Sequence, residues 1–280
     1  MNKLKLMTII GTRPEIIRLS AVIKKCDVYF DQILVHTGQN YDYNLNQVFF
    51  EDLGLRAPNF YLDAVGKDLG ETIGNIIAKS YALMVEQKPD ALLILGDTNS
   101  CLSAIAAKRL HIPIFHMEAG NRCFDECLPE ETNRRIVDHI SDVNMCYSEH
   151  ARRYLNAEGT AKERTFVTGS PMAEVLHANL AKIEASDVLL GISFPRYSKR
   201  TISAMKFARD RGARCLGLTD GKVSPLNEIS DVCLYTKSEM VSFLDSLVAP
   251  LSMINALIMA VSARDCTRTF ETFRELENVW

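Results

Sequence analysis

Short apolar runs alternate with amphipathic stretches through the first two thirds of the chain. This alternation constrains the fold more than any other feature. "KLMTIIG" (5–11), "QILVHTG" (32–38), "ALLILGD" (91–97), "IPIFHMEAG" (112–120), "DVNMCYS" (142–148) and "RTFVTGS" (164–170) are brief, β-branched and closed by turn formers, so they read as strands. Between them "PEIIRLSAVIKK", "LGETIGNIIAKSYALMVEQ", "NSCLSAIAAKRL", "PEETNRRIVDHI" and "EHARRYLNAEG" carry helical patterns. Pro14 stands at a helix first turn, where its fixed φ is pre-organised. Apolar strands separated by helices predict a parallel sheet covered on both faces. Right-handed crossovers then wind it into a doubly wound, Rossmann-like α/β domain.

Such a sheet binds ligands at the carboxyl ends of its strands. The polar residues stand there: "GTRPE", "HTGQN", "GDTNS" and "EAGNR" each follow a strand, placing Arg13, His36, Asp97 and Glu118 on one rim. No G-x-G-x-x-G follows the first strand, so no dinucleotide cofactor is expected. "GTRPE" instead offers backbone N–H groups at a helix start and a guanidinium, which suits a diphosphate held without a metal.

With 280 residues, 47% hydrophobic and 24% charged, the chain can bury a large core as one or two soluble globular domains. The net charge of -3 supplies no basic field, so nucleic acid is not an expected partner. The eight cysteines are scattered, several in apolar runs, as reduced buried thiols are. Cys123 and Cys127 lack a second Cys or His pair at ligand spacing, so no metal is expected. "MNKLKLMTIIGTRPE" has too short an apolar run for a signal peptide, and a cytoplasmic location is expected. The segment 242–263 is long enough to cross a bilayer, yet it contains Asp245, Pro250 and Asn255. It reads as a helix buried in a core or a subunit interface, which makes a homodimer possible and a membrane partner not.

"EAGNRCFDECLPEETNRR" (118–135) crowds carboxylates and arginines together. A solvated loop, a metal site, a disulfide hairpin and the floor of a pocket for a charged substrate would all look like this. Pro129-Glu130-Glu131 reads as a helix opening with acids where the dipole favours them. Glu118 and Glu130 can face each other across the intervening loop, and Asp97 can join them. Carboxylates sharing a desolvated cleft split their proton affinities into an acid and a base. The plainer alternative is that Glu130 and Glu131 cap the helix and pair with Arg134 or Arg135.

Together "GTRPEIIRLS", "HTGQNYD", "GDTNS", "HMEAGNRCFDECLPEETNRRIVDHISD" and "TGSPMAEVL" make residues 1–186 resemble the N-terminal domain of the non-hydrolysing UDP-N-acetylglucosamine 2-epimerases. The nearest branch acts on UDP-2-acetamido-2,6-dideoxyhexoses in capsule and O-antigen synthesis. The resemblance implies inversion at C2 of a UDP-2-acetamido sugar by anti elimination and re-addition of UDP. It implies Asp97, Glu118 and Glu130 as acid/base carboxylates, Arg13 on the diphosphate and Arg18 where the family carries lysine or arginine. His36 and Arg122 complete the expected substrate-binding set.

Beyond about residue 186 the texture changes. "DVLLGIS", "ARCLGLTD" and "SDVCLYT" read as three further strands, followed by the apolar segment and a charged helix, "RDCTRTFETFRELENVW". Residues 187–280 lack the family's usual His-Arg segment and uridine-binding residues. They resemble instead the later half of a SIS (sugar isomerase) domain of RpiR-type regulators, a smaller flavodoxin-like α/β half-domain. That resemblance implies a phosphate cradle at Ser193, Ser198 and Thr201, which could equally be a helix cap. The helix-turn-helix part of such regulators is missing, so DNA binding is again not expected. The alternative to an epimerase is therefore a non-catalytic module that binds a phosphosugar or UDP-sugar.

Overall fold

The computed structural model describes residues 3–38, 49–237, 248–264 and 266. The remainder of "HTGQNYD" beyond Gly38, the start of the 242–263 segment and nearly all of the charged C-terminal stretch lie outside the described residues. The chain forms two compact units, residues 1–175 and 176–280.

In the first unit, β1 (Lys5–Ile10), β2 (Asp31–His36), β3 (Phe60–Tyr61), β4 (Ala91–Leu95), β5 (Ile114–Met117), β6 (Val143–Cys146) and β7 (Thr165–Val167) form one sheet in the order β3-β2-β1-β4-β5-β6-β7. Every pairing is parallel. The order reverses between β1 and β4, which sets the ligand crevice of a doubly wound sheet there. Two-residue β3 was not anticipated, since so short a strand shows no period. Its helices include α1 (Arg13–Tyr29), α2 (Leu69–Gln87), α3 (Ser103–Arg109), α4 (Pro129–Ile140) and α5 (Glu149–Ala157), and α6 (Met172–Leu180) runs across the boundary at residue 175. The stretch expected as one helix from Asn99 opens as a 3-10 turn, Asn99–Leu102, before α3.

Side chains alternate across the strands and so feed two cores. Met7, Ile9, Ile33, Val35, Leu92, Ile94 and Ile114 pack on one face with Ile76 and Met84 of α2 and Ala104 and Ala107 of α3. Leu6, Ile10, Leu34, Leu93 and Leu95 pack on the other with Ile16, Leu19 and Ile23 of α1. Burial on both faces explains why these strands read as continuous apolar runs.

The second unit carries a parallel sheet of β8 (Val188–Ile192), β9 (Arg214–Thr219) and β10 (Val232–Tyr235) in the order β10-β9-β8, with α7 (Lys199–Asp210) after β8. The helix comes so close that a Cβ on Gly191 would meet Met205 Sδ at 2.0 Å, so any larger residue would force Met205 to move. The units divide ahead of the textural change near 186 because residues 181–187 pack with β9 and α7. Arg211 Nη1 donates to Ala181 O at 2.6 Å, and Arg214 N to Asp187 O at 3.0 Å.

The apolar helix α8 (Val248–Arg264) corrects one expectation. A core helix was one of its two readings, yet Pro250 is its sole buried residue, while Met259 is 70% and Val261 73% exposed. Apolar composition says that a helix avoids water; it does not say which surface covers it. Among the described residues no helix is long and apolar enough to cross a membrane. The cysteines divide likewise: Cys26, Cys101, Cys146 and Cys215 are buried, Cys233 half-buried, and Cys123, Cys127 and Cys266 exposed.

Candidate functional site

The turn from β1 into α1 is built on Glu15. Its Oε2 accepts Gly11 N at 2.8 Å, Thr12 N at 2.7 Å and Thr12 Oγ1 at 2.9 Å, and its Oε1 accepts Ser100 Oγ. Burial pushes the Glu15 carboxyl up, against the pull of these donors. One buried side chain thereby ties the turn after β1 to the turn after β4. The sequence carried its signal, Thr12-x-x-Glu15, the pattern of a capping box, but "GTRPE" pointed to its arginine instead. Arg13 presents its guanidinium 5.8 Å from the Phe49 ring centroid, with Nε buried and without a partner among the described residues.

His36 closes β2 at 1% exposure. Gly38 N donates to its Nδ1 at 3.0 Å, so the proton of the neutral ring sits on Nε2. That atom is buried with no partner among the described residues. Burial pushes the His36 pKa down to about 4, so the ring is a neutral donor at neutral pH.

Asp97 and Glu118 follow the neighbouring strands β4 and β5. Glu118 has φ +66°, a backbone conformation few L residues adopt and one that concentrates at functional sites. Its Oε2 lies 2.6 Å from Arg18 Nη1, and its Oε1 accepts Asn121 Nδ2 at 3.2 Å. The carboxylate reaches back over the end of β4, where a Cβ on Gly96 would sit 3.8 Å from Oε2. Burial raises the Glu118 pKa; the Asp97 charge pushes the same way and Arg18 opposes it. Asp97 Oδ2 accepts Arg134 Nε at 2.9 Å and also Nη2, while Asn133 Nδ2 donates to Asp97 O at 2.9 Å. Tyr147, just past β6, has a buried hydroxyl with no partner among the described residues, and burial together with the Glu118 charge raises its pKa. Nothing in the sequence reading had marked it.

Glu130 and Glu131 separate as the helical rotation of about 100° per residue requires. Glu130 is exposed and makes no hydrogen bond or ion pair among the described residues. Glu131 is 1% exposed and turned inward. The structure thus brings Asp97 and Glu118 together and shows no contact from Glu130 to either.

Arg122, expected in the substrate-binding set, turns inward. Its side chain is wholly buried, with Nη1 2.7 Å from Asp138 Oδ2 and Nε 2.7 Å from Glu158 Oε1. It belongs to a network beneath the site. His116 Nε2 lies 2.8 Å from Gly96 O and its Nδ1 2.9 Å from Asp138 Oδ1, and Asp138 Oδ2 accepts Gly120 N at 3.2 Å. The network therefore grips the backbone beside Asp97 and beside Glu118. Burial alone would raise the Asp138 carboxyl, but His116 and Arg122 hold it below the usual range. An arginine among acids in sequence looks the same whether it faces ligand or core. Among the described residues no cluster of three or more His, Cys, Asp or Glu could hold a metal ion.

In the second unit, Ser198 caps α7 by accepting Thr201 N at 3.3 Å, and Ser193 Oγ accepts Ser198 N at 3.0 Å. The three residues expected at a phosphate cradle are joined at a helix start, where the Ser193 and Ser198 hydroxyl oxygens accept the amides of Ser198 and Thr201. At the adjoining end of β9, Tyr197 Oη donates to Asp220 Oδ1 at 2.9 Å, and Thr219 Oγ1 to Ser224 Oγ at 2.8 Å.

Residues 24–202 match the sequence profile of the family described as UDP-N-acetylglucosamine 2-epimerase, and residues 163–260 that of the SIS domain. A UDP-N-acetylglucosamine 2-epimerase homolog of Methanococcus maripaludis is 36% identical over 204 residues, covering 71% of this chain and 57% of that protein. The UDP-2,3-diacetamido-2,3-dideoxy-D-glucuronate 2-epimerase of Pseudomonas aeruginosa is 41% identical over 159 residues, 56% of this chain and 45% of that one. The chain thus spans about half the length of these curated relatives. The solved UDP-N-acetylglucosamine 2-epimerase of Rickettsia bellii superposes with a TM-score of 0.61 at 42% identity, covering 86% of this chain and 70% of that one.

Proposed function

We propose that this chain, which belongs to the UDP-N-acetylglucosamine 2-epimerase family, inverts C2 of a UDP-2-acetamido sugar. The observation that carries the reading is the electrostatically linked pair Asp97 and Glu118 on adjacent strand ends, each held by an arginine. A carboxylate removes the C2 proton, and the C1–O bond breaks with its electrons leaving on UDP. A C1=C2 double bond remains. UDP then adds back to C1 as C2 takes a proton on the opposite face, so atoms and charges balance. Two carboxyls of different proton affinity serve the two faces, and burial of Glu118 supplies that difference. Glu130 is the third carboxylate of this reading, reached from the exposed first turn of α4.

Arg13 and Arg18 lie in the first two turns of α1, where they would supply cations to a diphosphate, the amides of Gly11 and Thr12 being held by Glu15. Arg18 rests on Glu118 and would exchange that partner for the leaving UDP. Neutral His36 would donate through Nε2 to a sugar or phosphate oxygen. Arg122 enters the reading only through the backbone it holds.

The test is incubation with UDP-GlcNAc in D2O, following loss of the C2 proton by NMR. Exchange in the wild type that falls by about 100-fold or more in Asp97→Asn is the expected outcome. UDP-GlcNAc bound without any exchange would sink it. A second reading, phosphosugar binding without catalysis, is favoured by the match of residues 163–260 to the SIS profile and by Ser193, Ser198 and Thr201 at the start of α7. It is supported instead if a hexose phosphate shifts the Ser198 and Thr201 amide resonances while no C2 exchange occurs. A homodimer through the exposed face of α8 belongs to the first reading as its assembled form.

A further inference from the structure

We propose that Glu131 is a positioning residue for Asp97, acting through Arg134, in the reaction proposed above. Its carboxylate is 1% exposed and touches four groups. Oε2 accepts Arg134 Nη1 at 3.1 Å, Cys123 N at 3.2 Å and Cys123 Sγ at 3.2 Å, and Oε1 accepts Arg135 Nε at 3.1 Å. The geometry at Arg134 is that of a planar fork held from both ends. One edge, Nε and Nη2, closes on a single oxygen of Asp97, while the opposite nitrogen, Nη1, is fixed by Glu131.

The consequence lies in what is left open. Both arginine donors converge on Asp97 Oδ2, and Asp97 Oδ1 has no protein partner among the described residues. Arg134 thus pins Oδ2 and leaves the other oxygen to meet a substrate hydrogen. An arginine on a helix surface has four rotatable side-chain torsions, and ordering it costs on the order of 2 kcal/mol of rotamer entropy. A buried carboxylate one turn earlier removes most of that freedom in advance. Asn133 adds a third point from the same helix by donating to Asp97 O. The loop 121–128 joins the device because its Cys123 amide ends on Glu131.

The role differs from helix capping. A cap would matter for α4 alone, whereas this chain of contacts ends on a reacting group. A misplacement of about 1 Å at such a group can cost about 100-fold in rate.

Three measurements on the full chain test it: C2 proton exchange from UDP-GlcNAc, the dissociation constant for UDP, and the carboxyl carbon signal of Asp97, assigned by its absence in Asp97→Asn. In Glu131→Gln, turnover should fall about 10- to 100-fold, UDP affinity should stay within twofold, and the Asp97 signal should move. Arg134→Lys, which keeps the charge and loses the fork, should do the same and serves if the first variant folds poorly. An unmoved Asp97 signal, or equal loss of turnover and UDP affinity in both variants, overturns the proposal. A wild type that exchanges no C2 proton defeats the parent reading instead. The Asp97 signal then still decides whether Glu131 governs that carboxylate.

Discussion

At the scale of single residues, the site is set by how far each ionisable group is taken out of water. His36 is buried and its pKa drops to about 4, below the roughly 6.5 of an unfolded histidine. The unfolded chain therefore binds the proton more tightly than the folded one. The stability contributed by a neutral His36 is complete above pH 6.5 and drains away as pH falls toward 4, by on the order of 2–3 kcal/mol. Urea unfolding at pH 7 and pH 4.5 should show this loss, and His36→Gln should remove most of the difference between the two pH values. Glu118 works in the opposite direction: burial and Asp97 raise it while Arg18 restrains it. Arg18→Ala should then raise the Glu118 pKa further. The limb of the rate profile that reports its ionisation should move to higher pH. A profile unchanged in shape would mean that Arg18 does not act on Glu118 during turnover.

At the scale of elements, two contacts decide whether the strand ends hold their register. Glu15 satisfies two backbone N–H groups after β1 and a hydroxyl after β4. Glu15→Ala leaves them buried and unpaired, with an expected destabilisation of about 2–4 kcal/mol by urea titration. Glu15→Gln should recover part of it. Gly120 has φ +79°, and a Cβ there would meet Ala151 O at 2.4 Å. Gly120→Ala should therefore strain the turn after Glu118 and push α5 outward, costing more than about 2 kcal/mol and lowering C2 exchange with it. Much at this scale was legible in the sequence. α4 spans the expected stretch, and Pro129 with its first-turn acids gave the start away. Which of Glu130 and Glu131 turns inward was not legible, because both suit a first turn equally and only docking selects Glu131.

At the scale of the whole molecule, two compact units each own a core. Met205, fully buried against Gly191, anchors the second. Met205→Ala should lower the unfolding of that unit by about 2–5 kcal/mol. Saturating UDP should raise the transition of the first unit alone. Differential scanning calorimetry separates these effects, and a single transition moved equally by both would contradict them. The exposed apolar face of α8 adds an expectation of mass above 31.4 kDa in sedimentation equilibrium. Leu251→Glu with Val261→Glu should abolish it.

The sequence by itself determined the layer architecture, because strands buried on both faces must be apolar throughout and their polar ends must fall on one edge. That rule draws attention to Arg13, His36, Asp97 and Glu118, and the family followed from the motifs around them. Only the tertiary structure decided what each charged group touches: Arg122 enclosed by Asp138 and Glu158, Glu131 turned in behind Arg134, and Glu15 pinning two turns. Periodicity specifies which face of an element is dry. The partner of a buried charge is set by neighbours far away in the chain, and no local pattern encodes that distance.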